Sequence, residues 1–449
     1  MFADALSSGI PGEVAGLAHL HSKYGDLPWP TVLAGAIKTA RFGFPVNADL
    51  AKAITSATAG EKTSFLETDP TWAMDFAPNG TLLKLNDTMT RKRYADTLET
   101  IANSGPEAFY KGAMAEAMVA AVRAANGTMT VADLANYTIA LRDPAMIRYR
   151  GYKLYSVSAP ALGSVALSTL KIIEGYRDIG APSTLNLSTH RLDEAMRFAY
   201  GQRTELGDPS FVANMKAYEK VMLNDSTAAS IRTRISDTRT FNTSHYDPSG
   251  LEVLETRGTS HVVAADKSGL AISLTTTINL YFGSRVMVPE TGVIMNNEMD
   301  DFSIPGKSNA FGFVPSPSNY IRPGKRPLSS IACTIVESSN GALYFVTGAA
   351  GGSRIITATV QTIWGVLDRG MGAFEALKMP RLHDQLLPDQ VTFEYSYDNA
   401  TVESMRERGH NVTWIAPGQS AAQCVRVLGN GTFEVAAEPR QRDSGGFAV

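Results

Sequence analysis

The chain has 449 residues, of which 44% are hydrophobic and 19% charged, with a formal net charge of −3 at pH 7. This is an ordinary globular composition without the positive excess that a polyanion partner requires, so nucleic acid is not expected as a partner, and the length permits two or three domains or one large composite one. No apolar run approaches the roughly 18 residues that span a bilayer, and the first dozen residues lack a basic start and an apolar centre, so no leader or membrane anchor is visible.

In chain order, Ile10-Pro11-Gly12-Glu13 opens a helical pattern that runs to Tyr24, and Trp29-Pro30 opens another that stops at Gly43-Phe44-Pro45. Both read as core helices. Apolar residues recur at helical spacing over 91–104 and 113–125, and Thr130-Val131-Ala132-Asp133 has the form of a helix N-cap. A strand-like stretch from Tyr149 reaches the loop Ser158-Ala159-Pro160-Ala161-Leu162-Gly163-Ser164, and long helices are predicted over 164–176 and 189–205. Residues 224–258 are polar and turn-rich, which predicts a segment mobile enough to release a chain end. Val, Ile and Thr enrichment over 262–266 and 270–280, joined by Lys267-Ser268-Gly269, predicts a hairpin with Thr259 at its mouth. Beyond it, 306–327 reads as an extended surface loop, 342–347 as a strand, Gly348 to Ser353 as a glycine loop, 354–368 as a helix, and 391–395, 424–428 and 433–437 as strands.

The cysteines Cys333 and Cys424 form either one disulfide or two buried thiols. His19 and His21, two apart on a helix, point to different faces and do not read as a metal pair. Ten of the 19 asparagines begin an Asn-x-Ser/Thr acceptor: Asn79, Asn86, Asn126, Asn136, Asn186, Asn224, Asn242, Asn399, Asn411 and Asn430. Such density predicts a glycoprotein of the secretory pathway, whether extracellular, at the cell surface or vacuolar.

Chemistry concentrates after Gly258. A threonine hydroxyl is a weak nucleophile at neutral pH unless a base stands beside it, and a threonine at an N-terminus carries that base in its own α-amine. A free α-amine titrates at about 7.7 to 8.0, whereas a peptide nitrogen is not basic. Scission between Gly258 and Thr259 would therefore create nucleophile and base in one step. The glycines Gly351 and Gly352 sit between a strand and a helix, an arrangement that also holds phosphates, but neither G-x-G-x-x-G nor G-K-[ST] is present.

The runs Thr259-Ser260-His261, Thr277-Ile278-Asn279-Leu280-Tyr281-Phe282-Gly283-Ser284 and Asn297-Glu298-Met299-Asp300-Asp301-Phe302 strongly resemble the small catalytic subunit of γ-glutamyltranspeptidases, which are N-terminal nucleophile hydrolases. Phe109-Tyr110-Lys111-Gly112 and Asp133-Leu134-Ala135-Asn136-Tyr137 resemble the large subunit, and the similarity is continuous from about Gly12 to the C-terminus. The resemblance implies an α+β fold, a four-layer αββα sandwich of two stacked antiparallel sheets covered by helices. It implies a precursor cut into a large-subunit-like region, 1–258, and a small catalytic subunit, 259–449, which together make one composite domain.

It also implies roles. Thr259 is the nucleophile and Thr277 orients it; Asn279, Glu298 and Asp301 accept hydrogen bonds from the substrate ammonium. Ser329 and Ser330, which close the frame Arg322-Pro323-Gly324-Lys325-Arg326-Pro327-Leu328, bind the α-carboxylate, and the Gly351 and Gly352 N–H groups form the oxyanion hole, with Gly352 also touching substrate. Tyr281 is near enough in sequence to line the site without an assigned role. The implied reaction passes a γ-glutamyl group from glutathione or another γ-glutamyl compound, through an ester on Thr259, to water or to an amino acid or dipeptide acceptor, with no cofactor or metal. The family's carboxylate-binding arginine lies in an N-terminal part that has no counterpart here, so none is carried over, and the loop 158–164 is a poorer version of the family's. Two other readings stay open: a catalytically impaired paralogue serving as a secreted interaction protein, and an amidase of the same fold for another acyl group.

Overall fold

The structure, a computed structural model, describes residues 5–59, 63–247, 249–250, 258–306 and 315–448. They divide into two compact units that interleave in sequence, one of Met1–Leu141 with Thr277–Asp300 and one of Arg142–Thr276 with Asp301–Val449.

The smaller unit is mainly helical, with α1 (Glu13–Tyr24), α2 (Trp29–Phe42), α3 (Lys92–Ser104) and α4 (Ala113–Ala124) its longest helices among the described residues. Ala115, Met118, Val119 and Val122 of α4 recur at helical spacing and bury one stripe against Val286, Val288, Val293 and Met295. A second core gathers on Phe282, whose ring meets Phe65, Trp72 and Phe76 edge-on. The expected N-cap forms as a capping box between Thr130 and Asp133. The expectation that the first two helices are core helices fails: α1 buries no residue and α2 buries only Ala40. Val14, Ala15, Trp29 and Leu33 lean on the first core while Leu27, Val32 and Phe42 stay exposed. Apolar spacing marks which side of a helix is oily and says nothing of what lies over it.

The larger unit is built on one antiparallel sheet. Its strands are β1 (Ala145–Tyr149), β2 (Tyr152–Ser156), β5 (Thr334–Glu337), β6 (Leu343–Ala350), β10 (Ala421–Val427) and β11 (Phe433–Ala436), in the order β11-β10-β6-β5-β2-β1. The stretch expected as one strand from Tyr149 is a hairpin instead, because Arg150 and Gly151 take φ of 52° and 86° and turn the chain. Helices α5 (Gly163–Ile173) and α7 (Arg354–Leu367) cover one face, with α6 (Leu185–Arg203) packed behind α5. On β6, Phe345 and Ala349 point into that helical core. Gly348, one residue out of phase, faces the other way and meets the hairpin of β3 (Thr259–Ala265) and β4 (Ala271–Thr277). Three successive layers of the expected sandwich, α, β and β, are thus contained in this unit. A smaller sheet joins β7 (Leu382–His383), β8 (Val391–Glu394) and β9 (Val412–Ile415), with α8 (Asn399–Glu407) between the last two in sequence.

Several local expectations shift. The polar stretch after Asn224 is not all turns: Asn224 caps a helix over Asp225–Arg234, while 251–257 lie outside the described residues. The segment 306–327 is not wholly surface, since Ser316 and Asn319 are buried; 307–314 are outside the described residues. The glycine loop is shorter than expected because β6 runs on to Ala350. Cys333 and Cys424 are two free, buried thiols, which decides between the two readings of them. The sheet separates them: Cys333 lies 3.0 Å from Thr275 on the hairpin side, whereas Cys424 belongs to the helical core. Burial raises the pKa of both. Among the described residues no helix is long and apolar enough to cross a membrane.

Candidate active site

In the larger unit, the nucleophile candidate opens a strand. Thr259 is the first residue of β3, and alternate residues of this strand, among them Thr259 and His261, turn inward while Ser260, Val262 and Ala264 are exposed. His261 is wedged onto Gly348 of β6, where an added Cβ would lie 2.4 Å from the imidazole Cε1. Its Nδ1 is 2.8 Å from Thr275 Oγ1, and burial lowers its pKa to about 4, so it is neutral at working pH and anchors the hairpin. Thr259, two residues earlier, therefore faces the same side, toward the sheet whose strand β6 leads to Gly351 and Gly352. The residue before it, Gly258, holds φ at 146°, a conformation that side-chain-bearing residues avoid.

Gly351 follows β6 directly. Its φ is 130°, and a Cβ there would lie 2.7 Å from the Gln419 carbonyl oxygen and 2.8 Å from Ser420 Cα. The turn runs straight into α7, with Arg354 N–H donating to Gly351 O at 3.2 Å and Ile355 N–H to Gly352 O at 3.0 Å. The positive end of a 14-residue helix dipole thus lies beside these two glycines, which suits developing negative charge. Tyr200 of α6 fixes the turn from behind by donating to Ser353 O at 2.6 Å.

Asp301, Ser329 and Ser330 are connected through a residue that sequence reasoning missed. Buried Asn319 donates from Nδ2 to Asp301 O at 2.7 Å, accepts from Leu328 N–H at 3.0 Å, and takes the Ser303 N–H on its own carbonyl at 3.1 Å. Ser329 N–H donates to Pro160 O at 2.9 Å, so the loop 158–164 acts as a backing for the serine pair, itself held by Glu219 through Ala159 N–H and Ser164 Oγ. Ser330 is buried and Ser329 half-buried. Asp208 steadies the approach to this pair by accepting from Arg326 N–H at 2.9 Å and from Arg142 at 3.0 Å. The only signal for Asn319 was its being a polar residue in a Pro- and Ser-rich run, which reads as a turn.

In the smaller unit, Thr277, Asn279 and Glu298 stand on one hydrogen-bonded frame. Thr277 Oγ1 accepts from Asn279 N–H at 2.8 Å, which helps hold Asn279 at a φ of 71°. Asn279 Nδ2 donates to Asn297 O at 3.0 Å, and Asn297 Oδ1 accepts from Leu280 N–H at 3.0 Å. The buried Asn279 Oδ1 and Glu298 Oε2 then have no hydrogen-bond partner among the described residues. Two buried acceptors left over cost free energy unless a donor arrives, so this frame is shaped for a donor such as an ammonium group. Burial pushes the Glu298 carboxyl up to about 7. Tyr281 is exposed.

Comparison with known proteins identifies the family. The family profile Gamma-glutamyltranspeptidase matches residues 1–448. The chain is 56% identical over 444 residues to a glutathione hydrolase proenzyme of Arthroderma benhamiae, covering 99% of this chain and 76% of that one. It is 50% identical over 445 residues to a glutathione hydrolase of Aspergillus flavus, covering 99% and 75%. Among solved structures, a cephalosporin acylase from Bacillus halodurans superposes with a TM-score of 0.84 at 26% identity, covering 98% of this chain and 78% of that one. The chain belongs to the gamma-glutamyltranspeptidase family.

Proposed function

We propose that this chain is an autoprocessed γ-glutamyltransferase and glutathione hydrolase, which cuts itself after Gly258 and then uses Thr259 as nucleophile. The observation that carries the reading is Thr259 itself, placed at the start of an anchored strand behind a glycine whose φ is 146°. Its hydroxyl attacks the γ-glutamyl amide carbonyl, its α-amine takes the hydroxyl proton and delivers it to the departing amine, and water or an acceptor amine then resolves the ester. Gly351 and Gly352 N–H groups receive the oxyanion, Thr277 orients the nucleophile, Ser329 and Ser330 take the α-carboxylate, and Asn279, Glu298 and Asp301 take the ammonium. Residues 1–258 and 259–449 are then the two subunits of one precursor. Assay of γ-glutamyl against glutaryl amides tests this reading: turnover confined to the glutaryl series favours the amidase alternative, which the likeness to a cephalosporin acylase keeps in view.

The ammonium assignment predicts a pH effect of defined sign. With its carboxyl pushed up to about 7, Glu298 is neutral below that pH and anionic above it, and the anion is the stronger partner for an ammonium. KM for a γ-glutamyl donor is therefore expected to fall as pH rises through about 7. Glu298→Gln is expected to remove that inflection and raise KM about 10- to 100-fold at pH 8, the loss of one charge-assisted hydrogen bond. Steady-state kinetics from pH 5.5 to about 8.5 reads both.

A secretory destination is part of the proposal. All ten Asn-x-Ser/Thr asparagines are exposed, whereas Asn279, Asn296, Asn297 and Asn319, the buried asparagines among the described residues, lie outside such acceptors. Protein from the native host is expected to gain mobility on a denaturing gel after glycan removal; unchanged mobility would count against a secretory route.

A further inference from the structure

Away from the residues discussed above, helix α6 and the turn after α8 bring together His190, Glu194 and His410, all buried, whose candidate ligand atoms lie within 4.8 Å of one another. His190 and Glu194 are four apart on α6 and share a face. His410 comes from 220 residues away. No spacing in the sequence announces such a group.

Oxygen atoms lie against the outer nitrogen of each imidazole. His190 Nε2 is 2.6 Å from the Ser236 carbonyl oxygen, which can only accept, so this nitrogen carries the proton and Nδ1 presents a lone pair. His410 Nδ1 is 3.1 Å from Asp193 Oδ2, an ion-pair distance without hydrogen-bond alignment, and neither oxygen of the fully buried Asp193 has a hydrogen-bond partner among the described residues. Asp193 is thus the group placed to take a proton from Nδ1 when Nε2 of His410 gives its lone pair to an ion. His190 Nδ1 and His410 Nε2 face each other at 2.8 Å, a hydrogen-bond distance at which one proton is shared until an ion replaces it. Each histidine thus has an oxygen beside its outer nitrogen, hydrogen-bonded in His190 and at ion-pair distance in His410, the position from which metal-binding imidazoles are oriented.

Glu194 stands beside them, with Oε1 4.0 Å from His410 Nε2. Its carboxylate is held by hydroxyls alone, Tyr246 at 2.8 Å and Thr240 at 2.7 Å. The nearby Arg197 guanidinium is engaged by Asp384 at 2.8 Å and Asp389 at 2.7 Å. Among the described residues, Asp193 and Glu194 are therefore two buried carboxyl groups whose one ion-pair partner is His410.

We propose that His190 Nδ1, His410 Nε2 and Glu194 bind one divalent ion of the zinc class, with Asp193 and the Ser236 carbonyl orienting the imidazoles. Two imidazoles and a carboxylate suit Zn2+. Zinc–nitrogen bonds of about 2.0 to 2.1 Å at a tetrahedral angle set the nitrogens about 3.3 Å apart, so the rings part by about 0.5 Å on loading. The ion ties the turn after α8 and the segment carrying Ser236 and Thr240 to α6. This role is structural and independent of the acyl-transfer reading.

The full-length protein, stripped with a chelator and dialysed against excess ZnCl2, is expected to retain about one zinc per chain by elemental analysis and to melt several degrees higher than the stripped form. Co2+ in place of zinc is expected to give visible d–d absorption from the nitrogen and oxygen ligands. His410→Ala and the shape-conserving Glu194→Gln are each expected to lower retention at least about tenfold. Retention below about 0.1 zinc per chain in the wild type, with no cobalt spectrum, would overturn the proposal and leave a shared proton between the imidazoles. Undiminished zinc in both variants would overturn it equally, because the ion would then be held elsewhere.

Discussion

Thr259→Ala is expected to remain a single 48.2 kDa chain and to lose turnover by on the order of 10^4-fold or more, while wild-type protein resolves into pieces of 258 and 191 residues. On the proposed mechanism one side chain serves both events, since the hydroxyl that opens the Gly258–Thr259 bond is the hydroxyl that later takes the acyl group. Thr259 is half-buried at a strand end, so its replacement is expected to change stability by no more than about 1 kcal/mol, and an unshifted melting temperature will show that the loss is chemical. Thr259→Ser keeps the hydroxyl and the future amine and is expected to be cut, more slowly. Gly258→Ala separates the two events. At a φ of 146° an alanine is strained, so scission slows, yet the small subunit it releases has the wild-type sequence and normal activity per cut chain. Denaturing electrophoresis beside a γ-glutamyl anilide assay reads all four proteins. An intact Thr259→Ala chain that still turned over donor would remove Thr259 from the mechanism.

What the sequence disclosed followed how local each feature is. The hairpin from Thr259 to Thr277, the long helices and the capping box at Thr130 depend on neighbours within a few positions, and propensity and spacing expose them. The site residues were named by resemblance, and their settings came only with the fold. Asn319 links Asp301 to the serine pair through contacts 18 and 9 residues away, and nothing in its own stretch distinguishes it from a turn residue. His261 looked like part of a motif and is a wedge against Gly348, 87 positions on. The thiols were ambiguous because a disulfide depends on which face of a sheet each occupies, a property that strand order decides. The cluster of His190, Glu194 and His410 was invisible for the same reason: a helix meets a turn 220 residues later.

Gly351→Ala is expected to lower kcat by about 10^2- to 10^3-fold, the cost of losing one oxyanion donor, about 2.7 to 4 kcal/mol. Two effects act together at this position. The φ of 130° is unfavourable for alanine, and the new Cβ would sit 2.7 Å from Gln419 O and 2.8 Å from Ser420 Cα, backbone atoms that cannot swing aside as a side chain can. The turn must shift, and with it the N–H groups of Gly351 and Gly352 that are to meet the oxyanion. Because donors in that proposed role act on charge that exists only in the transition state, KM is expected to change far less than kcat. Gly348→Ala supplies the contrast. Its Cβ would meet the His261 ring at 2.4 Å, so it is expected to lower the melting temperature through strain beneath the hairpin, three residues before the oxyanion turn. If both variants lose stability but only Gly351→Ala loses kcat in proportion to a missing donor, the glycine turn is the oxyanion site; equal losses of kcat in both would mean that disturbance of the hairpin alone accounts for the effect.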